Sequence, residues 1–466
     1  MDTLTLLLLE ALLGILGLYV LRRQSPLSLP VLAVGMTFLV TSFYPFTTLF
    51  IEPRSWRNLG SLSEEAHLTS LQNHVAFTAG LVLALMALGL LWPRSLRTPD
   101  VTPTATRRVR FRDAFVSWGC LVFGAGLYLE YIRRVGLSTL MSTHDFAEKY
   151  LASEGMGALL IGLNVMILAC LWAEAGEVGK LTRWVFRALA AGIVVWALFF
   201  VAVRTYAVAI ALGYVAVHCR DRRFRVQDVR LRLVGLMLLG LLAMEGFAIL
   251  RSSWNSTGHL GSAVELAIRS DADVVLGGVV GGSELSHPYL TMAEVAQFEE
   301  AGTLWGSSYV DAVLAFVPLA LWPDRPETLA QGFVREYYPS MADRGGGSAF
   351  SFVGEAWLNF GNIVGPLLAG IALGLFAVIC QGRSLRIPHG WTARVLPYMG
   401  FLVLIFHRSQ LQATFKQAVS VFLPALGLAL AAEVLWRVFL LPRREREEPR
   451  RSLQPLAPRR VQTETT

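Results

Sequence analysis

Lysine is almost missing from this chain: Lys149, Lys180 and Lys416 stand among 41 basic side chains, and the other 38 are arginine. Charge of either sign is scarce as well, at 16% of residues against 54% hydrophobic. With a mean hydropathy of +0.51, that balance excludes a soluble domain and points to a polytopic membrane protein. Cysteine is limited to Cys120, Cys170, Cys219 and Cys380, all inside apolar runs or at their arginine-flanked ends. No disulfide is therefore expected in outer loops. The chain has no Walker phosphate loop and no dinucleotide fingerprint, which excludes the common nucleotide sites. No basic residue precedes the first apolar run and Arg22-Arg23 follow it, the reverse of a cleavable signal peptide. That run is expected to stay as a span.

What is present is a series of apolar runs. Measured against the roughly 20 residues that cross a bilayer, they predict about eleven spans. These lie at 4–21, 29–51, 73–92, 113–132, 156–173, 184–203, 205–219, 232–250, 360–380, 395–415 and 417–441. Of the 41 basic residues, 26 fall on alternate connectors and the tail, which reads that side as cytoplasmic and the N-terminus as external. The same map accounts for a pI near 9.4 without nucleic acid. The expected organisation is an N-terminal bundle (1–250), a large outer loop (251–359), C-terminal spans (360–441) and a disordered basic tail (442–466).

Several connectors carry candidate chemistry. Glu64-Glu65 and His67 sit on an expected short helix leading into the third span and read as a solvated face. Arg133-Arg134 on the outer side suggest an anionic ligand or snorkelling. Arg204 is the polar turn of a tight hairpin between two spans, where a guanidinium can fork onto a phosphate. In the large loop, Thr291-Met292-Ala293-Glu294 reads as a capping box opening a helix. Asp271-Ala272-Asp273 has the spacing of a metal-binding DxD, but two acids so spaced are common by chance, and no metal or cofactor is expected. Asn255-Ser256-Thr257 fits a glycosylation sequon and is uninformative.

The densest stretch is Trp305 to Gly361. Tyr309 to Trp322 is apolar but too short to span, and reads as an interfacial or re-entrant helix. Arg325, Arg335, Arg344 and the flexible Gly345-Gly346-Gly347-Ser348 follow, then Glu355 just before the ninth span. The tenth apolar run carries His407 and Arg408 toward membrane depth, which implies a wet cavity. Arg204, Arg251, Arg344 and Arg408 near the outer face would suit a lipid-linked diphosphate. Tyr309, Arg325 and Ser348 are further contact candidates. Glu355 or His407 could take a proton from a sugar hydroxyl while arginines stabilise a departing diphosphate.

Residues 306–322 followed by Pro323-Asp324-Arg325-Pro326, and then GGGSAFSFVGEAWLNFG, resemble the late-loop pattern of the oligosaccharide repeat-unit polymerases, the Wzy-type O-antigen polymerases. The resemblance is specific over 306–361 and extends to the rest of the chain only as architecture. It implies an all-α fold of the GT-C-like type. The activity implied is metal-independent glycosyl transfer, elongating undecaprenyl-diphosphate-linked oligosaccharides at the periplasmic face of the bacterial inner membrane. Membrane lipids, a chain-length regulator and a flippase would be its partners. By position, Arg204 matches the family's outer hairpin arginine and Glu355 its glutamate; Ala202-Val203 precede Arg204 where the family often has a small residue. An O-antigen ligase would share the arginine-lined cavity and differ in acceptor. A polysaccharide transporter or flippase is the alternative of a different class, and no internal repeat speaks for it.

Overall fold

The computed structural model describes residues 2–25, 27–49, 62–91, 107–142, 156–198, 204–221, 286–315, 326–343, 350–387 and 389–440, with single residues 261, 262, 265 and 322. Every regular element among them is helical. In order these are α1 (Thr3–Val20), α2 (Leu29–Thr47), α3 (Glu64–Leu91), α4 (Arg107–Val135), α5 (Leu137–Ser142), α6 (Gly157–Ala175), α7 (Lys180–Trp196) and α8 (Arg204–Asp221). There follow α9 (His287–Phe298), α10 (Ser307–Leu314), α11 (Leu329–Tyr337), α12 (Pro339–Ala342), α13 (Phe352–Phe360), α14 (Val364–Arg386), α15 (Trp391–Arg408) and α16 (Leu411–Leu435).

Six helical runs are long and apolar enough to cross a bilayer: α1, α2, Glu64–Leu88, α4, α14 and Leu411–Leu440. The described part of the chain is thus all-helical and of membrane-embedded character. Four further expected spans overlap α6, α7, α8 and α15, which are not among these six, while 232–250 lies outside the described residues. So do the glycine-rich 274–282, Asp271 to Asp273 and Asn255.

Within the bundle, close approach does what hydrophobicity does in water, because lipid is as apolar as leucine and helices gain only from tight packing. A Cβ on Gly370 of α14 would lie 2.0 Å from the Phe77 carbonyl oxygen of α3, and one on Gly80 would lie 2.1 Å from that of Leu367. Gly370 and Gly374 have the small-xxx-small spacing that lets α3 and α14 meet backbone to backbone. The α4–α6 pair repeats the device at Gly162, whose Cβ would sit 2.5 Å from the Gly124 oxygen.

The structure corrects several boundaries. The expected ninth span (360–380) is α14, which starts later, at Val364, and runs on to Arg386; Gly361 to Ile363 form a break between it and α13, where Ile363 has φ 64°. Asn73 of α3 holds that break, its Oδ1 accepting from Ile363 N at 2.8 Å and its Nδ2 donating to Asn362 Oδ1 at 2.8 Å. The tenth span is not 395–415: α15 begins at Trp391 and stops at Arg408, and α16 starts at Leu411. Gln410, in the break, ties it to α11, its Oε1 accepting from Ala330 N at 3.0 Å. His407 and Arg408 accordingly end a helix instead of sitting mid-span.

The expected helix start at Thr291 is also displaced. Helix α9 begins at His287 with Pro288 in its first turn, a residue preorganised for that place. Thr291 is buried within the helix, and Glu294 accepts from the Tyr338 hydroxyl at 3.2 Å. Arg133 and Arg134 both pair with Glu130 of their own helix, at 2.7 and 2.8 Å. Glu64 and Glu65 are exposed at the start of α3, where Ser63 Oγ accepts from Ala66 N at 3.1 Å.

Candidate functional site

Helix α13 comes directly from the VGEAWLNFG segment. Ser351 caps it, accepting from Gly354 N at 3.1 Å, and every residue from Phe352 to Asn359 is buried. Glu355 is only 1% exposed, and both of its carboxylate oxygens are engaged. Oε1 accepts from the Ser308 hydroxyl at 2.8 Å, and Oε2 accepts from the backbone N–H of Leu411 at 2.5 Å. The carboxylate thus joins three elements, α10, α13 and the first turn of α16. Its second bond satisfies one of the orphan donors at a helix N-terminus and meets the positive end of the dipole there.

Asn359, one turn on, completes the unit. Its Nδ2 donates to Ser308 Oγ at 2.7 Å and to the Glu355 carbonyl at 2.7 Å, and its Oδ1 accepts from Gly306 N at 2.8 Å. Ser308 therefore relays between Asn359 and Glu355. Burial pushes the Glu355 carboxyl up to about 7, against the pull of the Leu411 N–H and the Ser308 hydroxyl. Tyr309 packs over α13, with its ring centroid 6.1 Å from Phe352 and 5.7 Å from Phe360. Its phenol is held above the usual range by burial first and by the Glu355 carboxyl second.

The turn before α10 is clamped onto α13 by Gly302 N to Trp357 O at 3.1 Å and Leu304 N to Leu358 O at 3.0 Å. Trp305 in this turn has φ 48° and is 85% exposed. A bulky residue in the left-handed region costs of the order of 1–3 kcal/mol, so the clamp holds a bare indole at the rim of the Glu355 unit under strain.

His407 lies deeper. Its Nδ1 bonds the Val403 carbonyl at 2.7 Å, which requires the proton on Nδ1, and its Nε2 faces the Thr37 hydroxyl at 2.7 Å. The imidazole is 4% exposed, packed edge-on to Phe77. Arg408 is half-buried at the end of α15, three residues before the Leu411 N–H that Glu355 accepts, so its Cα is within about 11 Å of that atom.

Helix α8 packs on α15, and His218 and Arg394 line one cavity at one end of this pair. Arg204 and Arg408 each lie 14 residues along their helices from that end, or about 21 Å. Their backbones therefore share the opposite end of the bundle. The structure brings together Glu355, Tyr309 and the Arg408 turn, with the backbone of Arg204 at a similar level. Arg251, Arg325, Arg344 and Ser348 lie outside the described residues.

Sequence reasoning missed Ser308 and Asn359, whose role depends on partners some fifty positions away. It also missed a polar cluster at membrane depth. Glu10 of α1 is fully buried, accepting from the Thr78 hydroxyl at 2.8 Å, and His74 lies one turn from Thr78 on α3. A single acid within an eighteen-residue apolar helix was the available signal. Against protein-family models, curated proteins and solved structures alike, the chain finds no match.

Proposed function

We propose that this chain is a membrane glycosyltransferase of the oligosaccharide repeat-unit polymerase type, moving a growing glycan from a lipid-linked diphosphate onto the next lipid-linked repeat. The observation that carries the reading is Glu355, a buried carboxyl poised near neutrality in the very segment that resembles the polymerases. A group with that proton affinity can exchange a proton with a sugar hydroxyl at working pH. Arg408 and Arg204 are the proposed diphosphate contacts, where each guanidinium would stabilise the leaving group electrostatically. The exposed indole of Trp305 offers an apolar face for a sugar ring at the rim. Membrane-embedded helical character supports a lipid-anchored substrate. In this reading the Glu355 end faces the periplasm and the arginine-rich connectors face the cytoplasm of a bacterial inner membrane.

The test is elongation of lipid-linked repeats by purified protein carrying Glu355→Gln, with folding checked by its elution profile. Loss of elongation by a hundredfold or more, the usual scale of a general base, is the expected result. Near wild-type elongation would make Glu355 a purely structural link and remove the proposal's central residue.

A further inference from the structure

At the end of the bundle opposite Glu355, the helices enclose a cavity of about 300 Å3. Its polar lining includes Ser28, three arginines (Arg183, Arg187 and Arg394) and two carboxylates (Glu174 and Glu177), and its apolar lining comes mainly from α2, α8 and α15. Three helices, α2, α7 and α15, start here, with Ser28, Gly179 and Gly390 as their N-cap residues. Ser28 lines the cavity at the start of α2, Arg183 at the first turn of α7 and Arg394 at the first turn of α15, so three positive dipole ends lie around one space. The first N–H of α2, that of Leu29, is already taken by Gln381 Oε1 at 3.1 Å.

The side chains add to that field. Asp113 is taken by Arg394 at 2.8 Å and Arg112 at 3.0 Å, and Glu174 by Arg187 at 2.6 Å. The helix carbonyls of Ala175 and Gly176, which would oppose an anion, are covered by Arg394 and Arg183. After these pairings, three buried polar atoms on the lining have no partner: Arg183 Nε, Arg394 Nε and Ser28 Oγ. Arg394 is 3% exposed and Ser28 2%. Buried donors in folded proteins are almost always satisfied, so three unpartnered polar atoms on one lining mark it as a place for an acceptor.

We infer that the cavity binds a phosphate group, of the kind carried by an anionic lipid headgroup. A phosphate oxygen accepts from each unpartnered donor, and its charge meets the helix N-termini. The apolar part of the lining suits the first methylenes of a lipid. The level also fits. Trp184, 66% exposed, carries Arg187 over its ring at 5.4 Å, and Tyr19, 60% exposed, carries Arg22 at 4.0 Å. Aromatics of this kind mark the headgroup layer, and basic pockets between helix ends recognise anionic headgroups there. This site is separate from the proposed transfer site and does not depend on it.

The experiment follows the melting of the purified full chain in uncharged detergent, titrated with short-chain phosphatidylglycerol, short-chain phosphatidylcholine, or sodium phosphate against sodium chloride of equal ionic strength. Saturable stabilisation by phosphatidylglycerol and not by phosphatidylcholine is expected. Arg183→Gln, which breaks no ion pair, should weaken it about tenfold or more, the loss of one charge-assisted contact. Ala216→Phe fills the cavity from α8 without removing a charge and should abolish it. Equal stabilisation by sodium phosphate supports the site with a soluble anion as occupant. Equal effects of the two lipids without a phosphate effect, or phosphatidylglycerol binding unchanged in whichever of the two variants folds, overturns the inference.

Discussion

A carboxyl that is buried yet bonded to an N–H and a hydroxyl is pulled both ways, and at Glu355 burial prevails. Its proton affinity rises from 4.5 to about 7. The unfolded chain releases this proton near 4.5 while the folded chain keeps it until about 7, so between those values the folded state holds more protons. Stability must then fall as pH rises through that window and level off above it, by about 3 kcal/mol for this one group. Glu355→Gln cannot titrate there. The wild-type melting temperature should therefore drop relative to that of the variant between pH 5 and 7, and a constant difference across the window would show that the carboxyl is not raised. Position alone marked Glu355 in the sequence, as the acid between a glycine run and an apolar run. What the sequence hid is why it is buried: its partners, Ser308 and Leu411, lie 47 and 56 positions away.

Elements were legible wherever one physical rule dominated, and illegible where a distant side chain settled the outcome. Apolar length located α1, α2, α4 and α14 because a bilayer demands it. The same rule started the ninth span too early and carried the tenth past the end of α15, since it cannot see that Asn73 or Glu355 will satisfy a broken backbone. Arg251, Arg325, Arg344 and Ser348 fall on residues the structure does not describe, so that half of the candidate site stays a sequence reading. Helix pairing hangs on glycine in a way hydropathy does not register. With a Cβ at Gly370 placed 2.0 Å from the Phe77 oxygen, backbone and not a movable side chain stands in the way. Gly370→Val should therefore separate α3 from α14 and disturb His407, which packs on Phe77. The expected result is a destabilisation of roughly 3 kcal/mol or more, on the scale of severe overpacking, read as lost monodisperse protein or a markedly lower melting temperature. Gly35, with nothing near its Cβ position, is the matched control and should accept alanine without loss.

For the whole molecule, the decisive quantity is which end faces which compartment, because the two sites proposed here lie at opposite ends. Along α15, Arg394 at the phosphate cavity and Arg408 near Glu355 are separated by about 21 Å, most of a hydrocarbon core. Sidedness comes from the arginines: 26 of 41 basic residues lie on one set of connectors and the tail, and an excess of this kind is retained on the cytoplasmic side. On the proposed orientation the cavity would open to the cytoplasmic leaflet, whose anionic lipids it suits, and the Glu355 unit to the outer face, where lipid-linked glycans would be elongated. Gly302 is a natural reporter position, since it sits in the turn clamped onto α13 and its N–H bonds the Trp357 carbonyl. Alkaline phosphatase, active only when exported, should be active when fused after Gly302 and inactive when fused after Arg223, a position outside the described residues. Activity at Arg223 with none at Gly302 would turn the molecule over. Glu355 would then face the cytoplasm, and glycan elongation at the outer surface would lose its site.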